Sequence, residues 1–306
     1  MQQTYPRIEI VVVDHNSTDH TRDVIRSFGE SVRYCRHTGG FHDTFNVWRD
    51  IVRGDFISVL DDDDYITPTC IETLAEFLVG HEDVDIVFSR HRFFSCEEDR
   101  CYLMQKTCLI PAGEINKQLL TSNVVPWNAV LFRKECLKKI PMIDSNLQGA
   151  YDWFFWVYAA LAGCKFHQID RIFGYIQKSQ DSVQHEIERM SIGGLKCIEH
   201  YGKNLNIKDK LLYGFFYIYG FRLIRHGIIC FENNKIRTGH RSLIRGMFFL
   251  TFSYRKRKAY LAAFLIWMAS IFSDPRKARC RIENLFGQYF FRRPLEIERL
   301  EKITKR

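Results

Sequence analysis

The segment Gly54-Asp55-Phe56-Ile57-Ser58-Val59-Leu60-Asp61-Asp62-Asp63-Asp64 sets an apolar, β-branched stretch of strand length directly against four consecutive carboxylates. A chain built around such a segment must bury the apolar half and leave the acidic half at an edge, which is how a buried strand delivers acids to one side of a sheet. Adjacent negative charges repel one another, and the repulsion is offset by a cation, by helix-end dipoles or by water. Oxygen ligands with positions left open for phosphate suit Mg²⁺ or Mn²⁺. The alternative is a solvated acidic turn capping the helix that starts near Pro68, because Asp is favoured at N-caps and in first turns.

Upstream, Ile8-Glu9-Ile10-Val11-Val12-Val13 reads as a second buried strand, followed by Asp14-His15-Asn16-Ser17-Thr18-Asp19 and a helical pattern from Thr21 to Phe28. Gly39-Gly40 and Asn46, the latter on an expected helix from Thr44 to Arg53, continue a strand-helix alternation of the doubly wound kind. In open α/β sheets ligands sit outside the carboxyl ends of the strands, so Asp14 and Asp61 are expected to face one crevice.

Taken in order, these pieces resemble the family 2 glycosyltransferases of the GT-A fold, which use nucleotide-sugar donors. The resemblance covers about residues 5–185 and adds Pro68, Tyr151-Asp152-Trp153 and Gly163 to the segments above. It implies an α/β fold with a doubly wound mixed sheet, helices on both faces and a C-terminal helical region. It also implies a nucleotide-sugar site at Asp14, Asn16, Ser17, Asp19, Gly40, Asn46, Asp61 and Asp62, a divalent metal, Mg²⁺ or Mn²⁺, on Asp63, and a general base at Asp152. The reaction so implied is inverting sugar transfer to a glycan or lipid-linked acceptor in polysaccharide or glycolipid assembly.

The chain departs from the family pattern in three places. Members begin with a strand and a helix of which Met1 to Pro6 resembles only the end, so the chain is expected to be short at its N-terminus by one β-α unit, about 30 residues. Tyr151 stands where an acid usually precedes the base. Ile176 and Lys178 replace the Arg and His common after the strand near Tyr175. A catalytically impaired, family-derived binding protein is therefore the alternative function. His167 and His185 are weaker acid/base candidates, and Trp153 is a candidate for stacking on the acceptor sugar.

Charge and cysteine usage bound the setting. Residues 200–306 hold 23 Lys/Arg and 7 Asp/Glu, net +16, against 21 and 29, net −8, in residues 1–199. An acidic catalytic region joined to a basic helical one points to an anionic partner for the latter. No nucleic-acid-binding motif accompanies it, so nucleic acid is not expected. The apolar segment Ala259 to Phe272, bracketed by Arg255-Lys256-Arg257-Lys258 and Arg276-Lys277-Ala278-Arg279, fits a helix lying on an anionic membrane surface. The ten cysteines are scattered singly, without a Cys-x-x-Cys pair or a recognisable metal spacing, which suits reduced thiols in core packing. No secretory leader opens the sequence and no apolar run reaches bilayer-spanning length. The expected location is cytoplasmic, peripheral on the cytosolic face of a membrane.

The expected division is a nucleotide-sugar-binding and catalytic domain over 1–190 and a basic helical region over 191–306. Within the first, a strand is expected at Asp85 to Ser89, then a meander through Pro111 and Pro126. A strand from Trp127 to Arg133, a helix over Lys134 to Lys139, and a helix from Tyr151 to Ala162 closed by Gly163 at C′ follow.

Overall fold

A computed structural model describes residues 2–251, apart from 98–99, 107–108, 145, 148, 178–182 and 213, and residue 264. Tertiary contacts divide the chain into two compact units, Met1–Lys178 and Ser179–Arg306. The boundary expected after residue 190 lies within helix Val183–Asn204, which belongs whole to the second unit.

The first unit runs β1 (Ile10–His15), α1 (Thr21–Ser27), β2 (Val32–His37), α2 (Phe41–Ile51), β3 (Phe56–Ile57), β4 (Tyr65–Ile66), α3 (Cys70–Gly80), β5 (Ile86–Glu97) and β6 (Arg100–Lys106). It continues with α4 (Ala112–Leu119), β7 (Val130–Arg133), α5 (Tyr151–Leu161) and β8 (Phe166–Gln177). The second comprises α6 (Val183–Asn204), α7 (Ile207–Leu212), α8 (Phe215–Glu232) and α9 (Ile236–Thr251). Residues 252–263 and 265–306 lie outside the described residues, and with them the expected membrane-surface segment and its flanking cations.

The strands form two sheets. β1 and β2 pair in parallel as one, and the other has the order β3-β7-β5-β8-β4 with β6 attached to β5. β5 and β8 are parallel, while β7 is antiparallel to both β3 and β5. Apolar alternation on β5 and β7 faces two layers of helix, as a doubly wound sheet requires. On one side, Val87 and Leu131 pack with Phe173 against Cys70, Leu74, Ala75 and Leu78 of α3. On the other, Phe132 meets Phe155 at 5.3 Å and Trp156 at 5.7 Å on α5, and Trp48 of α2 at 6.3 Å. Truncating a fully buried residue such as Leu74 to Ala would cost about 2–5 kcal/mol.

Four local expectations are corrected. The strand anticipated through Leu60 is paired only at Phe56 and Ile57, and Leu60 is exposed. Its chain must leave the sheet early, because β3 and β4 stand at opposite ends of the strand order and the acidic stretch between them crosses the intervening edge. The anticipated meander is a β5-β6 hairpin followed by α4. The helix anticipated over Lys134 to Lys139 is a 3₁₀ turn, Lys134–Lys138. Residues 2–9 are not helical: the Gln3 carboxamide binds both Thr67 O, at 2.9 Å, and Ile71 N, at 3.1 Å, tying the chain to the start of α3.

α5 is buried on nearly every face, which explains its almost uninterrupted apolar sequence. Gly163, at φ +80°, closes it, with Cys164 N bonded to Ala159 O and Gly163 N to Ala160 O. This is the paired 6→1 and 5→2 pattern of a Schellman C-terminus, which the sequence anticipated at Gly163. In the second unit, α8 and α9 approach through glycines: a Cβ on Gly220 would lie 2.8 Å from Gly246 O, and one on Gly227 2.9 Å from Gly239 O.

Candidate active site

The acidic stretch leaves β3, turns at Asp61–Asp64 with Asp64 N bonded to Asp61 O at 3.2 Å, and enters β4. Its four carboxylates have different surroundings. Asp64 is held: Asn128 Nδ2 donates to its Oδ2 at 2.9 Å and Gln177 N to its Oδ1 at 3.0 Å. Asn128 is buried at the mouth of β7, where the positive φ of Ala129 turns the chain into the strand. Asp61, Asp62 and Asp63 are exposed. Asp64 thus anchors the turn and its three neighbours are displayed by it.

Asp152 lies near enough to the turn for its charge to be felt at Asp61. Gly149 at φ +124° and Ala150 at φ +55° bring the chain into α5, so that Asp152 sits in the first turn of a helix otherwise packed in core, where the helix dipole favours an acid. Its Oδ2 accepts a bond from Asn123 Nδ2 at 2.5 Å. Burial of the surrounding atoms and then the charges of Asp64, Asp152, Asp63 and Asp62 push Asp61 up to about 7, although its side chain reaches solvent. The two acidic elements, 90 residues apart in sequence, therefore share one electrostatic environment.

By donor type the turn suits a hard divalent cation, although among the described residues its carboxylates do not gather as three ligands within 4.8 Å of one another. Asp62 and Asp63 offer exposed carboxylate oxygens beside Asp61, with no nitrogen or sulfur ligand in the turn. The repulsion that raises Asp61 is what a bound Mg²⁺ or Mn²⁺ would relieve.

A second group of anticipated residues forms the loop after β1. Asp14, 5% exposed, accepts bonds from Ser17 N at 2.9 Å and from the hydroxyls of Ser17 and Tyr34, and these bonds hold its carboxyl below the usual range. Asn16 takes φ +57°, and its Oδ1 accepts from Arg36 on the paired strand. Asp19 accepts from the backbone and hydroxyl of Thr21 at the start of α1, which lowers its pKa. Gly40 begins α2, its N–H bonded to Asp43. Asn46 uses both ends of its amide on Ile143, donating to O at 3.1 Å and accepting from N at 2.9 Å. Its observed contacts tie α2 to the segment that leads into α5.

Other candidates fall elsewhere. Trp153 is 3% exposed and its indole N–H donates to Leu119 O at 2.6 Å, so it is core and offers no face to a sugar. His167 opens β8, at the sheet edge opposite the acids, and stacks on Phe77 at 4.5 Å, while burial and the neighbouring His81 lower its pKa. The side chains of His185 and Lys178 lie outside the described residues. Sequence reasoning missed Tyr34, Arg36, Asn123, Asn128 and Gln177. Each is an ordinary polar residue whose role depends on a partner more than 15 positions away, which no local pattern marks.

Residues 1–140 match the family model described as glycosyl transferase family 2. An uncharacterised glycosyltransferase of Rickettsia typhi is 25% identical over 166 residues, 51% of this chain and 50% of that protein. The Escherichia coli UDP-Glc:alpha-D-GlcNAc-diphosphoundecaprenol beta-1,3-glucosyltransferase WfaP is 31% identical over 105 residues, 32% of this chain and 39% of the relative. The chain thus spans about half or less of the length of these curated relatives. Among solved structures, S. aureus TarS superposes with TM-score 0.60 at 18% identity, over 95% of this chain and 86% of that one. Mannosyltransferase PcManGT from Pyrobaculum calidifontis, in complex with GDP-Man and Mn²⁺, gives 0.54 at 14% identity, over 93% and 78%. The match to the glycosyl transferase family 2 model thus covers the N-terminal part of the chain, and the fold is the mixed α/β architecture of the GT-A glycosyltransferases it superposes on.

Proposed function

We propose that the chain transfers a sugar from a nucleotide-diphosphate sugar to a hydroxyl of a glycan or lipid-linked acceptor, with inversion at the anomeric carbon. The observation that supports this reading is that the Asp152 charge is felt at Asp61 in the acidic turn. In the proposed reaction Asp152 accepts the acceptor hydroxyl's proton as that oxygen bonds to the anomeric carbon and the bond to the diphosphate oxygen breaks. Asn123 holds the Asp152 carboxylate, leaving less rotation to freeze as the base acts. A divalent ion on Asp63 would stabilise the charge of the departing diphosphate. Asp61 and Asp62 face the ribose and diphosphate, and Asp14, Asn16, Ser17 and Asp19 form the nucleotide loop, with Arg36 beside it as a fixed positive charge.

The lipid-linked acceptor is supported by the substrate that WfaP's name carries, and the metal by the Mn²⁺ complex of PcManGT. No helix among the described residues is long and apolar enough to cross a membrane. We place the chain in the cytoplasm, on the cytosolic membrane face, held through the basic region 191–306. Salt-sensitive co-sedimentation with anionic vesicles tests that placement. The donor is found by thermal shift: one nucleotide sugar should raise the melting temperature in the presence of Mn²⁺ and not with chelator. No shift from any nucleotide sugar would contradict a donor site here.

A further inference from the structure

At the sheet edge where β5 and β8 begin, opposite the acids, the fold assembles a second set of metal-ligating side chains that sequence spacing concealed. Asp85 directly precedes β5, Cys164 precedes β8 by two positions, and Cys136 lies in the 3₁₀ turn after β7. One ligand atom from each, the two sulfurs and a carboxylate oxygen, lies within 4.8 Å of the others. Both thiols are buried, at 1% and 0% exposure, while Asp85 is partly exposed.

The backbone beneath them is fixed by the sheet. Asp85 N donates to Lys165 O at 3.0 Å, Arg133 N donates to Asp85 O at 3.0 Å, and Lys165 N donates to Asp85 Oδ2 at 2.8 Å. The β5 register places Ile86 between Phe132 and Phe166, so the three ligands are held by three paired strand ends.

We propose that Asp85, Cys136 and Cys164 form a binding site for a borderline-soft divalent ion, Zn²⁺ being the one that best fits two thiolates and a carboxylate, with water in the fourth position. Tetrahedral Zn²⁺ with Zn–S bonds of about 2.3 Å sets its sulfurs about 3.8 Å apart, so ligands already within 4.8 Å need to close by about 1 Å at most. Small side-chain rotations supply that. The Cys136 thiol donates to Asp85 O at 3.9 Å, so two of the three ligand residues are already in direct contact. Lys139 ends the 3₁₀ turn that carries Cys136 and brings a positive charge close to the site. That charge would offset the net negative charge of two thiolates and a carboxylate around a divalent ion. A cavity of about 420 Å³, lined in part by Asp83, Val84, Cys164 and Lys165, offers an approach from solvent. The site differs in chemistry from the all-oxygen turn at Asp61–Asp64, which suits Mg²⁺ or Mn²⁺.

The test is a Co²⁺ titration of the reduced, chelator-treated full chain, read by thiolate-to-metal charge-transfer absorption. One equivalent should bind and be displaced by Zn²⁺. Asp63→Ala and Cys70→Ser should leave the signal unchanged, whereas Cys136→Ser and Cys164→Ser should abolish it. Asp85→Asn, at a partly exposed position, should weaken Zn²⁺ binding by at least about tenfold. That variant decides the matter if either serine variant fails to fold. Absence of the band in the unmodified chain, its persistence in both serine variants, or unchanged affinity in Asp85→Asn would overturn the proposal.

Discussion

Replacing Asn128 by Ala tests whether the acidic turn is pinned to the sheet rather than merely exposed beside it. Asn128 is 1% exposed, and its Nδ2 donates to Asp64 at 2.9 Å and, at 3.4 Å, to Tyr175 O. Hydrogen bonds to charged groups are worth about 1.5–3 kcal/mol. Asp64 is only partly buried and keeps its bond from Gln177 N, so water can replace part of the loss. The Asn128 Oδ1, buried without a partner, is removed at the same time. Both considerations place the cost at the low end, about 1.5 kcal/mol, which at about 2–4 °C per kcal/mol lowers the melting temperature by about 3–6 °C. The attribution to the Asn128–Asp64 pair is checked by a double-mutant cycle with Asp64→Asn, with thermal unfolding followed by circular dichroism. A coupling of about 1 kcal/mol or more is expected. Independent sites add to within about 0.5 kcal/mol, so a coupling below that would refute the anchor. The loosened turn should also lose part of its stabilisation by Mn²⁺.

Asp152→Asn keeps the shape of the side chain and removes the proton acceptor, so turnover should fall by about 10²–10⁴-fold with donor affinity nearly unchanged; ordinary turnover would reduce the residue to a helix-start acid. Because Asp61 is raised from 3.8 to about 7 in the fold, the native state holds a proton there that the unfolded chain gives up. Metal-free stability contributed by this group is therefore present below pH 4 and lost as pH rises through 7, and Asp61→Asn should flatten that slope in a pH series of melts. Trp153→Phe removes the N–H bonded to Leu119 O and should cost about 1 kcal/mol in stability while leaving the acceptor KM unchanged; a raised KM would restore a stacking role.

The parts of the fold legible in the sequence were those encoded locally. Gly163 ends α5 because a left-handed residue is needed there, and Asp19 with Thr21 marks the start of α1, so both could be read from neighbouring letters. The acidic turn announced itself through four identical charges. What escaped was decided by distant partners. β3 looked like a full strand because Ser58, Val59 and Leu60 have strand composition, yet the destination of the chain at β4 draws them out of the sheet. Trp153 sits next to Asp152 in sequence, but the helical turn sends the two side chains to different environments, one into the core toward Leu119 and one to Asn123. Asp85, Cys136 and Cys164 are separated by 51 and 28 positions, and only the pairing of β5 with β7 and β8 brings them together.

The most direct test of the central claim is metal-dependent release of nucleoside diphosphate from the donor that thermal shift identifies, with and without an acceptor, in the unmodified chain and in Asp63→Ala. Release should require Mg²⁺ or Mn²⁺, rise when the acceptor is supplied, and vanish in Asp63→Ala while that variant melts at the same temperature or slightly higher, since one of several mutually repelling carboxylates has been removed. Release that persists in Asp63→Ala and is indifferent to chelator, or no release from the unmodified chain in the presence of metal, donor and acceptor, would contradict the assignment of the acidic turn as a glycosyl-transfer site.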